Sequence, residues 1–424
     1  MRRPLFILFL VSIMISFFIT NFLLDIGNES YIVQGRGLVS NKINKSNCTQ
    51  YRVGDYLVKD FSKKLKINPG EIINFKGKVK SYKFTDEKFN YNKYLKSEGY
   101  KGVLEIYKYD IVGDNYIYVN LFEIKDKMIK SIKYLYKDKS KFINSTMLGE
   151  KNSLDLDTKE IFSKTGVSHI LALSGLHVGI LITLIGFSIG KINNIPKFII
   201  LSLTLWAYSV IVGNIPSILR AIGFNLIYYF SIFIERRSDS INNLSIIGIL
   251  LIINNPYVIY NLSFQLSFLA TLSIIYFYGY IREIIKFKLI SLTISANILT
   301  LPLVYLYFKN ISIVCILSNI IVVPLLSIII YMSILSVIIL PFSIILTKIL
   351  VYINTSIISF IFISLETLYD LNGSYIEFKN SNGFFVILYY ILIGIFMIYK
   401  EIKTIKEQKN GLQGYHQEYE EQRI

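Results

Sequence analysis

The stretch from Lys164 to Leu184, KTGVSHILALSGLHVGILITL, sets two of the chain's three histidines, two serines and three glycines inside a run otherwise apolar enough to cross a bilayer. Polar groups in hydrocarbon are costly unless they meet a partner or a water-filled space. The run therefore reads as a membrane helix with one side turned to other polar helices. On such a helix Ser168, Ala172, Gly175 and Gly179 form a small-residue stripe at steps of four, three and four, where another helix can approach closely. Ser174 and His177 lie three apart on the neighbouring face, turned to a conducting path or to the polar contacts that shape one.

The same pattern recurs further along the chain. Ser217, Ala221 and Asn225 run down one apolar segment with Arg220 beside them; Asn261 and Gln265 stand four apart in the next; Thr293, Asn297 and Thr300, then Ser312, Cys315 and Asn319, line two more. Several helices thus own a polar side, as a bundle around a solvated path requires. Interhelical hydrogen bonding alone gives the same stripes. Arg220 is the exception, because a buried guanidinium needs a carboxylate, carbonyls, water or a phosphate. No nearby apolar run offers an Asp or Glu, although Arg220 is close enough to the outer end of its span to snorkel. Pro302 and Pro324 fall within or near spans and either break or kink them.

Around these segments the composition is 53% hydrophobic, with mean hydropathy +0.49 and a formal net charge of +16 held mostly outside the apolar runs. The fold class is a polytopic α-helical membrane protein with an N-terminal extracytoplasmic β-barrel domain of OB-like type. Residues 1–25 form an anchor, read as uncleaved because its apolar core is long and lacks a small-residue cleavage site. Residues 26–123 are the barrel, 124–165 amphipathic or linker helices, 166–399 the multi-span region and 400–424 a charged tail. Counting the anchor at 4–24, ten spans are expected: 167–190, 196–213, 216–234, 242–253, 257–280, 288–308, 312–340, 343–368 and 384–399 complete the set. The one at 242–253 is short enough to be re-entrant. Short cytoplasmic loops are rich in Lys and Arg. Lys191 and Lys197, Arg236 and Arg237, Arg282 with Lys286 and Lys288, and the tail fall on one side, against Lys309 and Lys379 on the other. Both termini are therefore expected in the cytoplasm and the barrel outside.

The barrel is read from YIVQGRGLV, EIINFKGKVKSY, GVLEIYKYDIV and NYIYVNLF, β-branched and aromatic runs bounded by turn residues, with one short helix at FNYNKYLKSEG. Between residues 26 and 120 there are 17 Lys and Arg against 10 Asp and Glu, a net of +7. Arg52, Lys76, Lys78, Lys80, Tyr82, Lys101 and Tyr107 suit a groove that tracks phosphates while bases stack on rings. A solvated barrel with ordinary surface lysines explains the same residues. From Leu121 to Tyr136, Ile124, Met128, Ile132 and Leu135 fall at helical spacing with Lys125, Lys127, Lys130 and Lys133 off that face. This is an amphipathic helix that lies on the membrane or packs on the barrel.

No catalytic constellation emerges. Ser174 and His177 on one helix do not point at each other, and no third residue orients the imidazole. The third histidine, His416, is in the tail, so no metal cluster or cofactor site is expected. There is no GxxxxGKS/T loop for a nucleotide. Cys48 and Cys315 suggest no bridge.

Four segments in order, TGVSHILALSGLHVGIL, IPSILRAIGF, NPYVIYNLSFQLSFLAT and LTLPLVYLYFKNISIVCILSNIIVVPLLS, closely resemble the signature segments of the ComEC competence proteins. FNYNKYLKSEGYKG resembles the end of that family's OB-like external domain, so the resemblance covers nearly all of the chain after the anchor. It implies a bacterial inner-membrane channel that passes single-stranded DNA inward during natural transformation. A cytoplasmic ATPase or helicase motor and an external DNA receptor are the implied partners, beside membrane lipid, and a homo-oligomer is compatible with it. Many relatives carry a C-terminal metallo-β-lactamase-like nuclease domain. This sequence has no HxHxDH run, so it reads as a short form in which strand degradation lies elsewhere or is absent, and the disulfide of some external domains has no counterpart around Cys48. A small-molecule or ion transporter, or a membrane-anchored DNA-binding scaffold without a pore, are the competing readings.

Overall fold

The computed structural model describes residues 4–23, 30–45, 47–80, 90–150, 154–190, 192–233, 239–400 and 402. Helix α1 (Pro4–Phe18), continued by a π turn over Ile19–Leu23, leads into five strands: β1 (Tyr31–Asn44), β2 (Thr49–Val53), β3 (Tyr56–Asp60), β4 (Glu71–Lys80) and β5 (Gly102–Asp114). They close into a barrel in the order β1-β2-β3-β5-β4, with β1 returning to β4 from Tyr31↔Val79 to Leu38↔Ile72. All neighbours are antiparallel except β3 and β5, which pair in parallel from Tyr56↔Gly102 to Val58↔Leu104. Period-two alternation decides which side of β4 is core. Ile73, Phe75 and Val79 point inward with Val39, Val53 and Leu104, while Asn74, Lys76, Lys78 and Lys80 point out. At the register shift in the β4–β5 pairing, Gly77 is obligatory, since a Cβ there would stand 2.3 Å from the Glu105 carbonyl oxygen.

Between β4 and β5 lies α2 (Tyr91–Ser97), within the expected helical stretch. Its N-terminus is closed by Asn90, whose side chain accepts from the Lys93 amide at 3.0 Å. The fourth expected strand, NYIYVNLF, is not a strand. It opens helix α3 (Tyr116–Tyr136), with Asn115 as the cap accepting from the Tyr118 amide. Its β-favouring composition finds no edge to pair with, because β4 and β1 have already closed the barrel; tertiary context overrides propensity.

The remaining helices are α4 (Ser140–Leu148), α5 (Leu156–Lys164), α6 (Ser168–Leu171), α7 (Gly175–Ile189), α8 (Asn194–Val212), α9 (Pro216–Phe233), α10 (Ser240–Asn254), α11 (Leu262–Ile284), α12 (Lys288–Phe308), α13 (Cys315–Ile339), α14 (Ile344–Asp370) and α15 (Gly383–Lys400). Among the described residues, Pro4–Phe22, α8, α11, α12, α13, α14 and α15 are long and apolar enough to cross a membrane. The chain is a multi-pass membrane protein. Pro302 and Pro324 lie inside α12 and α13 and break neither.

Helix α3 packs most of its expected face inward: Ile132 is buried, and Met128 and Leu135 pack on the same core. Nearer its start Ile124 is 48% exposed instead, and Lys125 is buried and paired with Glu150 at 2.8 Å. The C-terminal end of α3 lies among membrane helices. Tyr136 Oη lies 2.9 Å from Ser336 Oγ of α13, and Asn354 of α14 donates both to Tyr136 Oη at 3.1 Å and to Ser333 Oγ at 2.9 Å.

The short helix α10 spans about 22 Å at 1.5 Å per residue. It runs parallel to α1: Phe9 packs where a side chain on Gly248 would be, and Ser16 Oγ donates to the Pro256 carbonyl at 2.5 Å. The turns before α9 and after α10 both meet the barrel or its helix, through Asn41 beside Gly213 and through α2 beside Asn255. Helices α9 and α10 therefore leave the barrel side and return to it, and the alternation of sides continues through the short span.

Candidate functional site

The opening stretch folds as two helices separated by an extended break. Ala172 and Ser174 have φ/ψ of −95°/131° and −137°/178°, so α6 stops and α7 starts afresh at Gly175. Ser168, Ala172, Gly175 and Gly179 consequently do not form one stripe. A break inside a bundle frees backbone groups that need partners. Neighbouring helices provide them. The Leu171 carbonyl accepts from Ser145 Oγ of α4 at 3.3 Å, and the Leu173 carbonyl accepts from Ser217 Oγ of α9 at 3.0 Å.

Ser174 and His177 close the new N-terminus. The Ser174 amide donates to His177 Nδ1 at 3.2 Å, and Ser174 Oγ lies 3.2 Å from the same nitrogen. Histidine here occupies the third helical position, where Glu or Gln reaches back in a capping box. Its ring is only 2% exposed. Gly175 gives the close approach expected of it: a Cβ would stand 3.1 Å from Arg220 Nη2 and 3.6 Å from Ala221 Cβ. Gly179 does not, for its Cβ would meet nothing within 4 Å.

Arg220, on α9, is 7% exposed and does not snorkel. Its Nε donates to Ser267 Oγ and its Nη1 to Thr271 Oγ1, both on α11 at 2.7 Å. Among the described residues no carboxylate pairs with it. Taking a cation out of water costs several kcal/mol even after relaxation, and each hydrogen bond to a charged donor returns roughly 1.5–3 kcal/mol. The two hydroxyls hold the guanidinium in place and leave its charge in full.

The other candidates fall around this centre. Gln265 Nε2 donates to the Ile259 carbonyl at 2.8 Å and pins the start of α11, while its buried Oε1 has no hydrogen-bond partner among the described residues. Asn297 and Asn319 both reach Cys315, the former to Sγ at 3.6 Å and the latter to the carbonyl at 2.8 Å. Cys315 in turn packs on Gly166, whose φ of +79° and 2.5 Å Cβ clearance admit only glycine. Lys164, just upstream, ties the segment down by pairing with Glu160 at 2.8 Å and Glu377 at 2.9 Å, and those bonds raise its pKa. Ser174, Gly175, His177 and Arg220 thus form one cluster, and Asn297 and Asn319 form a second next to Gly166. Sequence reasoning named Ser217 beside Arg220 but passed over Ser267 and Thr271. The spacing of Ser267 and Thr271, four apart on the Gln265 helix, was the available signal.

On the barrel, Lys76, Lys78 and Lys80 form an outward stripe, beside Lys108 and Glu105 of β5. Lys80 pairs with Glu105 at 2.8 Å; Lys76 and Lys78 have no carboxylate partner among the described residues. Tyr107 is 61% exposed, Lys101 pairs with Asp55 at 2.9 Å, and Arg52 stacks 4.9 Å over the Tyr100 ring on the α2 side. Tyr82 lies outside the described residues. A cavity of about 990 Å³ between barrel, α3 and α4 is lined by five lysines and six carboxylates, a balance that offers a polyanion no net attraction.

Helix α2 fastens the barrel to the membrane region. Asn255 Nδ2 donates to the Lys96 carbonyl at 2.8 Å and Asn261 Nδ2 to Glu98 Oε1 at 2.9 Å, while Lys96 and Lys93 sit 4.8 and 4.9 Å over the rings of Tyr257 and Tyr260. FNYNKYLKSEGYKG and NPYVIYNLSFQLSFLAT, far apart in sequence, are therefore one contact. A family model described as competence protein matches residues 146–403, well over half of the chain. The chain belongs to the ComEC family of competence proteins. ComE operon protein 3 of Bacillus subtilis (strain 168) is 29% identical over 184 residues, 42% of this chain and 24% of that protein. An uncharacterized protein of Aquifex aeolicus (strain VF5) is 30% identical over 159 residues, 36% of this chain and 37% of its own length. The chain thus aligns with well under half of either relative. No solved structure is significantly similar to it. All four competence segments meet at the broken helix: the first supplies the break, the second Arg220, the third Ser267 and Thr271, and the fourth Cys315 against Gly166.

Proposed function

We propose that this protein passes single-stranded DNA through the membrane into the cytoplasm during natural transformation. The observation that carries the reading is the convergence of three of the four competence segments on one buried, cationic cluster inside the bundle, with no carboxylate beside it among the described residues, beneath a barrel with a lysine stripe. Such a cluster suits a passing polyanion better than a cation, which it would repel. The barrel lies outside the bacterial inner membrane and both termini inside. Movement of a polyanion requires work, so a cytoplasmic ATPase or helicase is the expected motor and an external receptor the expected source of strand. The chain itself is proposed to cut neither DNA nor nucleotide.

Deletion of the gene, followed by uptake of labelled DNA into a nuclease-protected state, tests this. Protected label should disappear and return on complementation. Unchanged uptake would remove the strand-passage reading in favour of a transporter of small molecules or ions, and binding without protection would favour a scaffold without a pore.

A further inference from the structure

We infer that Arg220 and the N-terminal end of α7 form a binding site for one phosphodiester of the passing strand. The inference rests on the strand-passage reading above. Among the described residues two of the five guanidinium N–H donors are engaged, both with neutral hydroxyls. Nη2 makes no hydrogen bond among the described residues and stands 3.1 Å from where Gly175 would carry a Cβ. Gly175 and Leu176 open a 15-residue helix, so their amides have no acceptor within it and carry its partial positive charge. His177 engages the Ser174 amide, not these two.

A buried cation therefore packs beside the positive end of a helix, at a close approach that a glycine permits. Nothing negative among the described residues separates them, and the arrangement is repulsive until an anion bridges it. The matching ligand has at least two acceptor oxygens on one centre, one for the guanidinium and one for an amide. It carries a single charge, as the site offers a single full cation. A phosphodiester meets both conditions. Holding Arg220 by hydroxyls rather than by a carboxylate keeps its charge available, and a lone cation binds weakly enough to release one phosphate as the next arrives.

Phospholipid headgroups share this chemistry, so the test separates the two sources. The full chain, labelled with 15N-arginine, is studied by NMR in phosphate-free maltoside micelles, the Arg220 Nε signal being the one lost in R220K. Dimethyl phosphate should shift it saturably and uncharged trimethyl phosphate should not; a ten-residue oligothymidylate should shift it and phosphatidylglycerol should not. In cells, R220Q at wild-type protein levels should lower protected DNA at least tenfold. Absence of a saturable shift, or an equal shift by trimethyl phosphate, overturns the site. A shift by phosphatidylglycerol alone makes it a lipid site and overturns the inference. If R220Q takes up DNA normally, the site is wrong while strand passage stands. If the wild-type chain delivers no protected DNA but dimethyl phosphate still shifts Arg220, strand passage fails and an anion site remains without the strand as its ligand.

Discussion

Replacing His177 tests the reading of the broken helix most directly. His177→Leu keeps a comparable apolar bulk and removes Nδ1, the acceptor for the Ser174 amide at 3.2 Å. Leaving a buried donor unsatisfied costs about 1–3 kcal/mol, while the Ser174 hydroxyl still accepts from the residue 177 amide. The closed break should therefore be destabilised by about 1–3 kcal/mol, or roughly 5- to 140-fold in its opening equilibrium at one decade per 1.4 kcal/mol. His177→Gln restores an acceptor of capping-box type and should recover most of that. The assay is amide hydrogen exchange of the peptide spanning residues 172–178 in the membrane-reconstituted protein, read beside DNA uptake at matched protein levels. Exchange should accelerate in the Leu variant and return toward wild type in the Gln variant, with uptake following the same order. Wild-type exchange in His177→Leu, or equal damage in His177→Gln and His177→Leu, would refute the capping argument.

Gly166→Ala places a methyl 2.5 Å from Cys315 Cβ at a φ of +79°, and should cost at least about 2 kcal/mol from overpacking and left-handed strain together, read as a lower thermal midpoint of the purified protein. For the barrel, Lys76→Gln with Lys78→Gln should reduce the slope of log K for single-stranded DNA against log salt by about 1.4, two contacts at about 0.7 each; an unchanged slope means the strand does not touch this face. Burial raises the Asp60 carboxyl, but the Leu65 amide at 2.8 Å and the Ser62 hydroxyl at 2.9 Å outweigh it and leave the pKa below its usual value. A depressed carboxyl contributes stability above its unfolded pKa of about 3.9 and loses it as pH falls through the lower folded value. The stability gap between wild type and Asp60→Asn should accordingly shrink as pH is lowered from 5 to 3, measured by chemical unfolding of the full chain.

Hydropathy and period alone determined much of this protein. Long apolar runs can satisfy their backbone in lipid only as helices, which is why the polytopic helical architecture was legible. β-branched and aromatic residues bounded by turn residues made β4 legible, and FNYNKYLKSEG was read as the short helix that α2 proves to be. Local rules failed where a distant group had to be known. NYIYVNLF reads as strand until the barrel is seen to be closed without it. The small-residue stripe through Ser168 and Gly179 assumes a continuous helix, whereas the break is stabilised by Ser145 and Ser217, from two other helices, whose hydroxyls donate to its freed carbonyls. Arg220 could be singled out from sequence as a cation in need of a partner, because charge in a bilayer is a local fact. That its partners are two hydroxyls on α11, and that its free edge faces the start of α7, is a matter of which helices lie side by side. Packing chooses among the arrangements that hydrophobicity permits, and only the assembled bundle shows which was chosen.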